Sequence, residues 1–202
     1  MEKVDRAQFL RLGAAGALGA AGAGLVGARP AGAALPAPNP IGDDIGFFGF
    51  AVVAELTSQR WYQQALRVKG WPAPVRRTMS AAIAAKGRNI RRINDVLHDG
   101  AVQPSDFAAG FPKGSFDTRA RALTLGLRLE NLLVSTYLYG VSYAQDSSSR
   151  LLLGRLMGFD AQLVAWLRSL GGGAPVPGLP TPLDTEAAGD LLDRYLTIPS
   201  FT

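Results

Sequence analysis

Apolar positions recur every three or four residues through most of this chain, so each recurrence can be followed as a stripe along one helical face. In "AAIAAKGRNIRRINDVL" (81–97), such steps from Met79 meet Ile83, Lys86, Ile90, Ile93 and Leu97, and Asn89 lies one turn beyond Lys86 on the same face. A lysine is among the last residues expected in the middle of a buried stripe. The other stripes are interrupted in the same way. "IGFFGFAVVAEL" (45–56) is apolar almost all round, with Glu55 its only charge. Leu123, Leu127, Glu130, Val134, Tyr137 and Val141 form a stripe centred on Glu130, and Leu153, Leu156, Asp160, Leu163, Leu167 and Leu170 form one around Asp160.

Start and stop signals turn these stripes into four long helices. The first opens at Asp43-Asp44 and closes at Gly70, ahead of Trp71-Pro72. The second opens at Pro74 and stops at Asp99-Gly100. The third and fourth fill 117–146 and 147–173, divided by the cap-rich "QDSSS". A short terminal helix is predicted from "TPLDTEAAGDLLDRYL", with Thr181 as N-cap, Pro182 at the first helical position and Asp184 three after the cap. Between the second and third helices, residues 99–116 are rich in glycine, proline and other turn formers, which predicts a long connection. No stretch of appreciable length alternates with period two, so no sheet is expected. The predicted fold is all-α: a four-helix bundle with one long crossover and a short C-terminal helix, the alternative being an ordinary bundle of another connectivity.

Four stripes, four central ionisable groups at similar depth, all directed inward: this predicts a shared buried polar cluster of Glu55, Lys86, Glu130 and Asp160, with Asn89 beside it. Several like charges cannot share a buried site unless something compensates them. Lys86 supplies one positive charge and three donors, and Asn89 an amide. The alternative has Lys86 snorkelling along the bundle beside a small wet pocket.

Composition narrows the function. With 202 residues and 48% hydrophobic content, the chain can bury one good core in a single domain. The formal charge of +5 is spread over helix faces rather than clustered, which argues against nucleic acid as a partner. Without cysteine there is no disulfide, zinc–thiolate site, iron–sulfur cluster or thiol catalysis. "GGGAPVPGLP" (171–180) lacks the Lys-Ser/Thr of a phosphate loop, and no histidine is placed for a serine triad. Tyr62, Tyr137, Tyr139 and Tyr143 are read as core aromatics. His98, the one histidine, is expected as an exposed cap at the end of the second helix.

The N-terminus carries a charged stretch, "MEKVDRAQFLRL", then the weakly apolar "GAAGALGAAGAGLVGA", then small residues in "ARPAGAALPAP". That order predicts a secretory signal peptide over 1–34, followed by a linker over 35–42, the bundle over 43–170, and a loop with the C-terminal helix over 171–202. The apolar run is too short and glycine-rich for a convincing membrane span, so none is expected after cleavage. "RAQFLR" resembles a twin-arginine export signal through Arg6, Phe9, Leu10 and Arg11, with Ala7 where the second arginine belongs. The expected location is the cell envelope or outside the cell.

"FAVVAELTSQRWYQQAL" and "LRLENLLVSTYLYG" resemble the first and third helices of the ferritin-like four-helix superfamily, in particular its exported bacterial branch. The resemblance implies a bundle that binds two metals, using one Glu from each of two helices and a Glu-x-x-His pair from each of the other two. It makes Glu55 and Glu130 former metal ligands, with Asp160 a shortened third. The two paired slots read Lys86-Gly87-Arg88-Asn89 and Asp160-Ala161-Gln162-Leu163, so neither holds a histidine. Three carboxylates without imidazole make a poor di-iron site, and no cofactor is expected. The resemblance then implies that Lys86 stands where a ligand stood, its ammonium taking the place of the metal charge. The function expected is that of an exported protein with a structural or binding role, no enzyme, and a possible homodimer through helix faces. The alternative is a metal-binding oxidase or store holding iron or manganese at the altered site, and a third reading is membrane association through an uncleaved N-terminal segment.

Overall fold

A computed structural model describes residues 37–105, 108–175, 178 and 180–197. The expected signal peptide, and residues 35 and 36 of the linker, lie outside the described residues. Four long helices follow the predicted order: α1 (Asp44–Ala65), α2 (Ala73–Leu97), α3 (Arg119–Tyr143) and α4 (Ser147–Leu170). Their ends have local causes. Gly70, at φ 86°, turns the chain between α1 and α2, and Pro72 and Pro74 open α2 where a missing N–H costs nothing. Thr118 caps α3 by accepting from the Arg121 amide, and Asp146 caps α4 by accepting from Ser149. His98 ends α2 as an exposed residue with φ 48°, in the cap position expected of it.

Side-chain contacts fix the directions. Gln59 donates to the Ile83 carbonyl and Glu55 meets Lys86, so α1 and α2 run antiparallel. Trp61 donates to the Ala122 carbonyl, Ser58 to Glu130 and Tyr137 to Glu55, so α1 and α3 are antiparallel too. The three-residue turn Ala144–Asp146 reverses the chain into α4. Hence α2 and α3 are parallel, which obliges residues 98–118 to travel the length of the bundle. This is the single-crossover, ferritin-like arrangement.

Three details depart from the sequence reading. Asp43 makes no side-chain cap; Asp44 instead is fully buried and accepts from the amides of Gln145 and Asp146 at 2.7 and 2.9 Å, tying the start of α1 to the α3–α4 turn. The terminal helix α5 spans Thr185–Leu192 with Asp184 as its cap, not Thr181, because the Leu183 amide is bonded to the Ser135 carbonyl and keeps the chain extended to that point. A two-residue antiparallel pair, β1 (Ala108–Ala109) with β2 (Leu196–Thr197), joins the crossover to the C-terminal tail. Phe111 packs on Phe116 and Tyr195 beside it.

The core is a single cluster including Phe48, Val52, Trp61, Met79, Ile93, Leu133, Leu153, Leu156 and Leu167, to which α5 adds Ala188 and Leu192. Gly126 lets α1 and α3 approach closely: a Cβ there would lie 2.2 Å from the Trp61 ring. Close packing at this height holds the residues one and two turns away in register, and those are the polar ones.

Candidate functional site: a buried ammonium among three carboxylates

Each long helix delivers one ionisable side chain to the centre of the bundle, and all four are fully buried: Glu55 from α1, Lys86 from α2, Glu130 from α3 and Asp160 from α4. Lys86 Nζ donates to Asp160 Oδ1 at 2.8 Å and to Glu55 Oε2 at 2.9 Å. Glu130 Oε2 lies 3.3 Å from Nζ as an ion pair without hydrogen-bond alignment. The Phe159 ring lies 5.7 Å from Nζ. The snorkelling alternative is thereby excluded, because the ammonium sits inside the bundle rather than at its surface.

Neutral donors hold two of the carboxylates from behind. Tyr137 donates to Glu55 Oε1 at 3.1 Å, so both oxygens of Glu55 receive donors, and Ser58 donates to Glu130 Oε1. Ser58 was not singled out as a partner by the stripes, and Tyr62 and Tyr137 were read as core aromatics; Tyr62 is buried, and its hydroxyl has no hydrogen-bond partner among the described residues. The signal was present in the spacing: Ser58 follows Glu55 by three residues and Tyr137 follows Glu130 by seven, both on inward faces. Asn89 is buried as expected, yet its amide nitrogen has no hydrogen-bond partner. The expected contribution of that amide to the carboxylates is therefore corrected: Asn89 shares the inward face of α2 with Lys86, but its amide donates to none of them. His98 is exposed and does not join the centre.

Burial pulls the Lys86 ammonium down, but the charges of Asp160, Glu130 and Glu55 outweigh it and hold the group well above the ordinary lysine range. Burial likewise pushes Glu130 up, against the pull of Lys86 and the Ser58 hydrogen bond. Asp160 is pushed well up by burial and then by the charge of Glu55, with Lys86 opposing. The Tyr62 and Tyr137 hydroxyls are also pushed well up, by burial first and the neighbouring carboxylates second, and stay protonated.

These directions give stability a pH dependence of definite sign. Glu130 and Asp160 bind protons more tightly folded than unfolded, so above about pH 4 the native state carries the extra protons. Their contribution is full below that value and is lost as pH rises through the folded values. Lys86 contributes fully below about pH 10.4 and loses its contribution only above that. Urea midpoints should therefore fall from about pH 5 to about pH 8. The slope should flatten in Asp160→Asn, and midpoints that rise across this interval would contradict the assignment.

The chemistry of the donor set decides whether a di-metal centre fits. Two slots that would each supply a carboxylate and an imidazole hold Lys86 with Asn89, and Asp160 with the buried apolar Leu163. The point on which the three carboxylates converge is filled by Nζ, whose positive charge repels a second cation. The residues present do not fit a di-metal site. Among the described residues, no group of three or more His, Cys, Asp or Glu side chains is placed to hold a metal ion.

The chain belongs to the ferritin-like family: the family's ferritin-like domain matches residues 43–173, which covers all four long helices. Comparison with curated proteins and with solved structures gave no match. Among the described residues, no helix is long and apolar enough to cross a membrane.

Proposed function

We propose that this is an exported ferritin-like protein that has given up di-iron chemistry for a structural or binding role in the cell envelope or outside the cell. The observation that carries the reading is the position of Lys86 Nζ, within 2.8–3.3 Å of carboxylates from the three other helices. An ammonium there supplies charge and donors but neither a vacant coordination position nor a redox couple, so the centre has nothing with which to activate oxygen. Glu55, Glu130 and Asp160 are the remnants of the ligand set, and the ion pairs tie α1, α3 and α4 to α2. Export rests on the charged, apolar and small-residue order of residues 1–34, with cleavage placed in 28–36.

The test is elemental analysis of the purified protein together with iron-oxidation kinetics. Iron or manganese well below one equivalent per chain, and no catalysed oxidation of ferrous iron, is the expected result. Two tightly held metals per chain would reverse the reading in favour of an oxidase or a metal store.

A further inference from the structure

We propose that the centre of the bundle is a receptor for a primary ammonium ion, of which the Lys86 side chain is the built-in occupant, and that shortening this residue opens the site to a free alkylammonium ion. The proposal rests on the reading of the centre as ammonium-filled and adds the chemical class of ligand that it takes.

Three features of the site support it. First, the site suits the charge and donors of the ligand. A primary ammonium carries three N–H donors; Asp160 and Glu55 accept from two of them at 2.8 and 2.9 Å, and the Glu130 carboxylate lies 3.3 Å away as an ion pair. A hard divalent cation wants six or more oxygens, or a near-ideal octahedron. Second, two of the three carboxylates are held without help from Lys86: Tyr137 donates to the other oxygen of Glu55 and Ser58 to the other oxygen of Glu130. Removing the lysine stem therefore leaves these two in place, and Asp160, which Lys86 alone engages among the described residues, is left to accept from an incoming ammonium. Third, the Phe159 ring, 5.7 Å from Nζ, offers a π-face that favours an organic cation at that point.

The site also has a defined length. Lys86→Ala removes Cγ, Cδ, Cε and Nζ, and n-propylammonium has the same four heavy atoms in the same order. Internal cavities made by truncation do take up small ligands of matching shape. A chain one methylene shorter should bind about fourfold more weakly, from the apolar area it fails to fill, and a longer one should meet the α2 backbone.

The test follows thermal unfolding of Lys86→Ala in methyl-, ethyl-, n-propyl- and n-butylammonium chloride, with tetramethylammonium chloride at matched ionic strength and manganese chloride as separate arms. The melting temperature should rise with amine concentration, most steeply for n-propylammonium, because a ligand that binds only the folded state shifts the folding equilibrium. Tetramethylammonium, which has no N–H, should do nothing. The wild-type protein, whose site is filled, and Lys86→Met, whose side chain occupies the same space, should stay flat. A folded Lys86→Ala protein indifferent to every primary amine would overturn the proposal. So would a wild-type response equal to the variant's, or a larger rise with manganese than with n-propylammonium. If the variant does not fold alone, refolding yield in n-propylammonium replaces the melting curve, and no recovery counts against the proposal equally. Metal content of the wild-type preparation separates this outcome from failure of the functional reading, since tightly bound metal there would sink that reading whatever the amines do.

Discussion

Lys86→Ala should cost about 3–5 kcal/mol of folding stability, the range expected when one partner is removed from a buried ion pair. Two effects add. Glu55, Glu130 and Asp160 lose the one cation that pairs with them among the described residues, and the lysine stem leaves a void among packed side chains. The loss is limited because Glu130 and Asp160, already inclined to hold protons, can take up more and neutralise the site. Lys86→Met separates the two effects: it keeps the volume and discards the charge, so it should be the milder change. Its cost should also shrink as pH falls toward about 5, because native Glu130 and Asp160 then take up protons that the same groups in the unfolded chain do not yet hold. Denaturant unfolding of the two variants at acid and neutral pH checks all of this. An alanine variant within about 0.5 kcal/mol of wild type would mean that the lysine is not a buried ion-pair partner at all.

The depth of the cluster was legible in the sequence because helical periodicity is rigid. Glu55, Lys86, Glu130 and Asp160 each sit mid-stripe, and a residue in that position of a core-facing helix has nowhere else to point. The bundle and its crossover were legible for the same reason, together with the turn chemistry of residues 99–116. Features set by long-range partners were not. Asp44 looks like any first-turn acid, and only the amides of Gln145 and Asp146, a hundred residues away in the chain, make it a buried tie. Thr181-Pro182 is a good local helix start, yet one hydrogen bond from Leu183 to Ser135 delays the helix to Thr185. The β1–β2 pair is built on Ala108 and Ala109, two residues with no alternation to announce them. At the site itself, spacing placed Asn89 on the correct face but could not show that its amide would go unpaired.

Rebuilding the lost ligands tests the central claim that Lys86 stands in a metal position and its ammonium in place of the metal. The triple change Lys86→Glu, Asn89→His and Leu163→His restores a carboxylate-x-x-His pair on α2 and another on α4, facing Glu55 and Glu130. All three positions are already buried on inward faces, so ligand direction is set by the existing helix register and needs no new backbone geometry. Without metal, this protein gathers four buried carboxylates and no compensating charge, and it should be far less stable than wild type. With ferrous iron or manganese it should recover, because the metal binds only where folding brings the ligands together. The decisive measurement is the melting temperature of the triple variant with and without either metal, set beside the wild-type protein. The account predicts a low value that rises steeply with metal, against a wild-type value that does not move. A triple variant that folds well and shows no metal-dependent rise would contradict the register, and with it the place assigned to Lys86.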